Sequence, residues 1–255
     1  MFIDTHTHIY LSDFKEDRNK IISECINNEV NKLLLPNIDS STINDVVELS
    51  LEYKGICYPM VGLHPCSVKN NFEKELDTLK SYIKDCNPIA IGEIGIDLYW
   101  DKSTLKFQQE AFIEQINWAK EYNLPIVIHA RDSYNEIFKI LDKEISSSLS
   151  GVFHCFSSSL KDAQHILEYG NFKLGIGGVV TFKNSGLDKI VKKIDIKNIL
   201  LETDAPYLTP APYRGKRNKS SYLTIIANKL SDIYQLSIED IGKITTKNAE
   251  KIFKL

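Results

Sequence analysis

The sequence has no apolar run that approaches the length of a membrane span, and its start lacks the basic-then-apolar plan of a secretory signal. A membrane-bound or exported chain is therefore not expected, and the expected location is cytoplasmic. Cysteine is sparse, five residues without paired spacing, which excludes a disulfide framework and points to reduced thiols. Neither sign of charge dominates: 31 Lys and Arg stand against 34 Asp and Glu, for a net charge of −3. Any contact with nucleic acid must then come from a local basic patch rather than a global field. No Gly-rich phosphate loop follows an early strand, which argues against an open doubly wound sheet. Linkers, internal repeats and low-complexity segments are also missing, so residues 1–255 are expected to form a single domain, with no obligate protein partner evident.

What remains is an ordinary globular composition, 43% hydrophobic and 25% charged, with ample material for a core. Along the chain, β-rich runs alternate with helical patterns. The strands are expected at Phe2–His8, Lys32–Pro36, Cys57–Leu63, Ile89–Ile94, Ile126–His129, Gly151–His154, Phe172–Ile176 and Asn198–Glu202. Helices are expected at Phe14–Asn28, Ser41–Tyr53, Phe72–Asp85, Leu105–Tyr122, Tyr134–Leu141, Leu160–Tyr169 and Ser185–Ile194, then at Ser221–Tyr234 and Ile238–Phe253. The clearest is Leu105–Tyr122, where Phe112, Ile113, Ile116 and Ala119 keep one face apolar. Ser237, with Asp240 three residues on, reads as a capping box opening the last helix. Eight strands, each followed by a helix, give the count of an α/β fold of the closed (β/α)8 TIM-type barrel, and the length of 255 residues fits it.

The organising stretch is the first eight residues, Met-Phe-Ile-Asp-Thr-His-Thr-His. In an extended segment alternate side chains share a face, so Asp4, His6 and His8 point one way. Two imidazoles so placed can grip a metal ion, with Asp4 beneath them as a supporting hydrogen-bond partner. Five of the six histidines, His6, His8, His64, His129 and His154, fall at or just past the end of an expected strand. Glu93 and Asp204 do the same, and in a barrel all these ends open onto one face, where active sites sit. His165 falls mid-helix and reads as ordinary surface.

Four histidines with two carboxylates exceed the needs of one tetrahedral zinc and suit two divalent ions. A bridging carboxylate offsets the repulsion of cations about 3.5–4 Å apart, and Glu93 is the natural bridge. His6, His8 and Asp204 would complete one shell, His129 and His154 the other. Imidazole-rich sites favour zinc or manganese, and magnesium is compatible when substrate phosphate supplies oxygens.

These residues carry a resemblance that spans essentially the whole chain. The ordered set begins with Asp4-Thr-His-Thr-His8, Val61-Gly-Leu-His-Pro65 and Gly92-Glu-Ile-Gly-Ile-Asp97, then passes through Gln108 and Gln109. It continues in Leu124-Pro-Ile-Val-Ile-His-Ala-Arg-Asp132, His154-Cys-Phe-Ser157, Glu202-Thr-Asp-Ala-Pro-Tyr-Leu-Thr-Pro210 and Arg214-Gly-Lys-Arg-Asn218. The chain resembles the TatD-type deoxyribonucleases of the metal-dependent hydrolase superfamily. The resemblance implies metal ligands at His6, His8, Glu93, His129, His154 and Asp204, and hydrolysis of phosphodiester bonds in DNA, as an exonuclease on single strands. Asp204 would act as general base, with Glu93 as the other catalytic carboxylate and Glu202 in a supporting position behind the ligands. Two departures from the family pattern bear on substrate preference: Lys219-Ser220 follow Asn218 where Glu-Pro is usual, and Ser157-Ser-Ser159 stands where a glycine is common.

Substrate contacts are expected on the rim. Arg214, Lys216, Arg217 and Lys219, beside Tyr207 and Tyr213, combine cations and aromatics suited to the phosphates and bases of a single strand. His64 and Arg131 are further phosphate-contact candidates. Three alternatives stay open at this point. They are an amidohydrolase or esterase acting on a small cyclic substrate, removal of D-amino acids from mischarged tRNA, and a non-catalytic nucleic-acid-binding or protein-binding barrel. Glu93 stands where many amidohydrolases carry a modified lysine, and a degenerate barrel would have lost ligands that are all present here.

Overall fold

The computed structural model describes residues 1–255. Eight parallel strands follow one another around a barrel: β1 Phe2–Asp4, β2 Val30–Leu35, β3 Cys57–Pro59, β4 Ile91–Asp97, β5 Ile126–Arg131, β6 Gly151–Phe153, β7 Phe172–Ile176 and β8 Ile199–Leu201. They form two ladders, β1-β2-β3 and β4 through β8 in chain order. Two parallel bridges, Val61 with Ile91 and Thr7 with Ala205, join the ladders at both seams. The second seam is stitched by Thr5 N to Leu201 O (3.0 Å), Asp204 N to His6 O (2.9 Å) and His8 N to Ala205 O (2.8 Å). The protein is a (β/α)8 barrel of the TIM type.

Nine helices surround it: α1 Arg18–Asn27, α2 Ile43–Glu52, α3 Phe72–Cys86, α4 Leu105–Tyr122, α5 Tyr134–Glu144, α6 Leu160–Glu168, α7 Leu187–Val191, α8 Leu223–Tyr234 and α9 Ile238–Phe253. None is long and apolar enough to cross a membrane. Strand alternation sorts the side chains into two cores. Leu33, Leu35, Ile126, Ile128, Phe153, Ile199 and Leu201 point outward into the large core under the helices. Ile3, Leu34, Val127, Val152 and Leu200 point inward, where Ala249, Ile252 and Phe253 of α9 plug the barrel from its N-terminal end. The opposite end is left for polar side chains.

Several element ends shift, with β3 stopping at Pro59 instead of Leu63, β4 running to Asp97 instead of Ile94 and α1 starting at Arg18 instead of Phe14, and three further details depart from expectation. The β1 ladder stops at Asp4, four residues early, because the chain bends at Thr5–His6. Helix α4 has the expected bounds, but Ile113 is exposed and its buried face includes Gln108 and Gln115. Those amides face inward because they satisfy backbone: Gln108 Oε1 accepts from Asp97 N at 2.8 Å, and Gln115 Oε1 from Leu63 N at 2.6 Å. At Ser237 the hydroxyl accepts from Asp240 N at 3.1 Å, while the Asp240 carboxylate takes the Ser237 hydroxyl instead of its amide. The full reciprocal box forms at Ser159 and Asp162, opening α6.

Candidate metal centre

The ends of β1, β5, β6 and β8 bring His6, His8, His129, His154 and Asp204 together at the C-terminal mouth of the barrel, and Glu93 joins them from within β4, third of its seven residues instead of at the expected strand end. Inward phase explains most of them. Val127 and Val152 point into the barrel, so His129 and His154, two residues on, point the same way. Gly95 lets β4 run close to β5: its φ is +139°, and a Cβ there would collide with the His129 carbonyl.

The Glu93 carboxylate divides the donors into two groups. Its Oε2 lies 3.1 Å from His6 Nε2 and 3.6 Å from His8 Nε2, and both imidazole nitrogens lie 3.6–3.7 Å from Asp204 Oδ1. Its Oε1 lies 2.8 Å from both His129 Nδ1 and His154 Nε2, and 3.4 Å from His64 Nε2. The His6 and His154 rings stack at 3.8 Å, so the two groups adjoin. Within each group, imidazole nitrogens approach to 3.3 Å (His6 with His8) and 3.4 Å (His129 with His154). So many lone pairs facing one another cohere only around positive charge, and the donor set fits divalent cations.

Neighbouring groups fix which nitrogen faces the centre. Tyr10 donates its hydroxyl proton to Pro36 O at 2.7 Å, so it accepts from His8 Nδ1 at 2.9 Å and leaves Nε2 free. Asp97 Oδ2 lies 2.8 Å from His129 Nε2, leaving Nδ1 free toward Glu93. Glu202, fully buried, lies 3.5 Å from His154 Nδ1 and accepts from Cys155 N. Carboxylates and hydroxyls behind the ring are the usual means of orienting a metal-binding histidine.

Asp4 takes a different part from the one its spacing predicts. Within β1 Asp4 alternates with the inward-pointing Ile3 and so faces outward, and the bend at Thr5–His6 separates its phase from that of the histidines; its carboxylate reaches Thr203 N (2.9 Å), Thr203 Oγ1 (2.6 Å) and His6 N (3.3 Å), and no imidazole ring. It ties together the two segments that carry His6 and Asp204.

Burial alone would raise the Glu93 carboxyl, but the imidazoles of His154, His64 and His6 and the hydrogen bond with His129 hold it well below the ordinary range. Asp204 is likewise lowered against burial, by the imidazole of His8 3.6 Å away and those of His154 and His6. His154 is pushed well above the ordinary imidazole value, burial notwithstanding, chiefly by Glu93. In the metal-free chain protons on the imidazoles thus balance the carboxylates, and protons and cations compete for the same nitrogens.

The centre lies in a cavity of about 730 Å³ whose walls include His64, Arg131 and Tyr207. Three other expected contacts are not on those walls. Arg214 stacks on Phe182 at 3.7 Å, Lys216 lies over Tyr213 at 5.8 Å, and Arg217 pairs with Asp17 at 2.5 Å and with the Asp13 carbonyl. Arg217 is drawn toward the start of α1, Arg214 toward Phe182 after β7, and Lys216 stays against Tyr213 of its own loop. Both departures from the family pattern are absorbed locally: Ser159 caps α6, and Lys219 pairs with Glu24 at 2.5 Å. His165 is half-buried, stacked on Phe138 and 2.9 Å from Asp142. Tyr10, Asp97 and Trp100 belong to the surroundings of the centre and were not expected there. The only signal for Asp97 was its place at the end of the Gly-Glu-Ile-Gly run.

A TIM-type barrel with this donor set at its C-terminal mouth defines a metal-dependent hydrolase. The family model described as TatD related DNase matches residues 3–254, and the chain belongs to the TatD family. It is 38% identical over 256 residues, with both chains fully covered, to the uncharacterized metal-dependent hydrolase YabD of Bacillus subtilis. The crystal structure of YjjV, a TatD homologue from Escherichia coli K12, superposes with a TM-score of 0.93 at 27% identity, covering 100% of this chain and 98% of that one. A TatD family hydrolase from Entamoeba histolytica shares the fold, with a TM-score of 0.85 at 20% identity over 98% and 97% of the two chains.

Proposed function

We propose that the protein is a deoxyribonuclease that hydrolyses phosphodiester bonds from an end of single-stranded DNA with two divalent cations. The observation that carries this reading is the division of donors by Glu93, one carboxylate oxygen facing each group. His6 Nε2, His8 Nε2, Asp204 Oδ1 and Glu93 Oε2 would hold one cation; His129 Nδ1, His154 Nε2 and Glu93 Oε1 would hold the other. Zinc and manganese suit the imidazoles best, and magnesium is compatible. When bound, such a pair supplies Lewis acidity, lowering the pKa of water and offsetting charge on phosphoryl oxygens.

The chain's own groups do the rest. Asp204, kept ionised and facing the cavity, receives the proton of the attacking water. Arg131 and His64 on the wall balance the phosphate, and Tyr207, half-exposed beside them, offers a ring to the terminal base. A cavity of about 730 Å³ has room for a nucleotide and not for a duplex, which supports a single-stranded substrate.

The test is cleavage of end-labelled single-stranded DNA with chelator, magnesium, manganese or zinc, beside the Asp204→Asn variant. Metal-dependent laddering that falls by about 10²–10⁴-fold in the variant is expected. Loss of laddering under every metal, with cations still bound, would refute the DNA reading in favour of a small ester or amide. Undiminished hydrolysis by the variant would refute the base assignment.

A further inference from the structure

A second groove, of about 780 Å³, adjoins the metal cavity and shares Ala130, Arg131 and Ser157 with it. On the sill between them stand two aromatic rings that a folded chain would ordinarily cover: Tyr99 is 54% exposed and Trp100 71%. Their rings meet edge to face at 4.9 Å, and the Arg131 guanidinium lies 3.8 Å over Tyr99 and 5.5 Å from Trp100. The group is fixed relative to the metal centre. Asp97 Oδ1 accepts from both Tyr99 N (2.9 Å) and Trp100 N (3.2 Å), while Oδ2 of the same carboxylate lies against His129.

We infer that Tyr99, Trp100 and Arg131 form a stacking subsite for the nucleobase adjoining the scissile phosphodiester, with the neighbouring groove receiving that base. This rests on the nuclease reading above and specifies the substrate as a strand of at least two nucleotides. Aromatic faces held beside a guanidinium are the sequence-tolerant platform that single strands use. The groove itself is lined by Asp132, Glu136 and Asp162. Two of these are already engaged: Asp162 by Ser158 and Ser159 (2.5 and 2.6 Å), Glu136 by Lys139 (2.8 Å). Carboxylates repel phosphate and accept hydrogen bonds from base amines. The base therefore enters the groove, and the backbone phosphate stays over Arg131.

Tryptophan fluorescence tests this directly, because the only other tryptophan, Trp118, is buried. Metal-loaded protein is titrated with a short oligodeoxynucleotide and with thymidine 5′-monophosphate, and cleavage of the oligonucleotide is measured in parallel. The oligonucleotide should quench the exposed tryptophan at concentrations where the mononucleotide does not. Trp100→Ala should abolish the quench and raise KM for the strand on the order of tenfold with kcat little changed, and Trp100→Phe should restore KM. Cleavage with an unchanged KM in Trp100→Ala would overturn the subsite while leaving the nuclease reading intact. Quenching by the strand without cleavage would retain the subsite and sink the nuclease reading. No quenching overturns the subsite in either case.

Discussion

Replacing Asp97 by asparagine isolates a single proton. In the wild type, Asp97 Oδ2 accepts from His129 Nε2 at 2.8 Å, and Oδ1 accepts two backbone amides, Tyr99 N and Trp100 N. Asparagine keeps an oxygen for both amides, so the loop keeps its anchor. Its NH₂ then faces His129 Nε2–H, donor against donor. The imidazole relieves the clash by carrying its proton on Nδ1 instead, and Nδ1 is the atom 2.8 Å from Glu93 Oε1. The lone pair that faced the centre is lost.

Removing the orienting carboxylate of a ligating histidine typically costs about 10–100-fold in metal affinity, roughly 1.4–2.7 kcal/mol. The metal-free protein gives a second measure. Burial would raise the Asp97 carboxyl, but the hydrogen bond with His129 and the Trp100 and Tyr99 amides lower it from 3.8 to about 2. That depression corresponds to about 2 kcal/mol of stability. A depressed carboxyl contributes in full above its unfolded pKa, and the contribution is lost as pH falls from about 4 toward 2. The assay is a competition titration of zinc against a fluorescent chelator, with urea unfolding of the metal-free proteins at pH 7 and pH 3. One of two binding steps should weaken, and the stability gap should shrink at the lower pH. Two unmoved binding steps, or an equal loss in both, would refute the tautomer argument.

Two further perturbations test the frame around the centre. Gly175 of β7 leaves the space that the Glu202 carboxylate occupies, so Gly175→Ala forces that carboxylate aside and should destabilise by about 1–3 kcal/mol; thermal unfolding within error of wild type would contradict this. Burial raises the Asp4 carboxyl to about 7, against hydrogen bonds from Thr203 and His6 N. A raised carboxyl stabilises fully below its unfolded pKa, and that stability is lost as pH rises through 7. The stability advantage of wild type over Asp4→Asn, both metal-free, should therefore fall by about 2 kcal/mol between pH 5 and pH 7 in urea titrations, and a flat difference would refute the burial account.

The barrel and the convergence of metal-type residues were legible in the sequence because both follow from short-range rules. Alternation along Ile126–Val127–Ile128–His129 puts the histidine on the inner face whatever surrounds it. Helices α4 and α9 have the expected bounds because their ends carry local signals: Asn123 adopts the left-handed conformation that stops α4, and Ser237 caps α9. Asp4 shows where such a rule stops. Period-two spacing holds only while the chain stays in the ladder: Asp4, still in β1 next to the inward Ile3, faces outward to Thr203, almost two hundred residues away, and the bend at Thr5–His6 gives the histidines a different phase.

The rim shows a second kind of illegibility. Arg217 and Lys219 follow β8 and so belong, by topology, to the catalytic face. Their charges are nevertheless taken up by Asp17 and Glu24, at and within α1. The reason is the closure of the barrel itself. Once Thr7 bridges Ala205, the segments after β1 and after β8 lie side by side, and each presents charges to the other. An opposite charge held at 2.5 Å outcompetes a distant phosphate, so these two cations become fastenings of the seam. Arg131 escapes this because its neighbours, Tyr99 and Trp100, offer rings rather than carboxylates. A guanidinium stacked on aromatics keeps its hydrogen-bonding edges free. What decides which basic residue can meet a substrate phosphate here is therefore the partner that chain closure supplies, and sequence distance from the ligands carries little of that information.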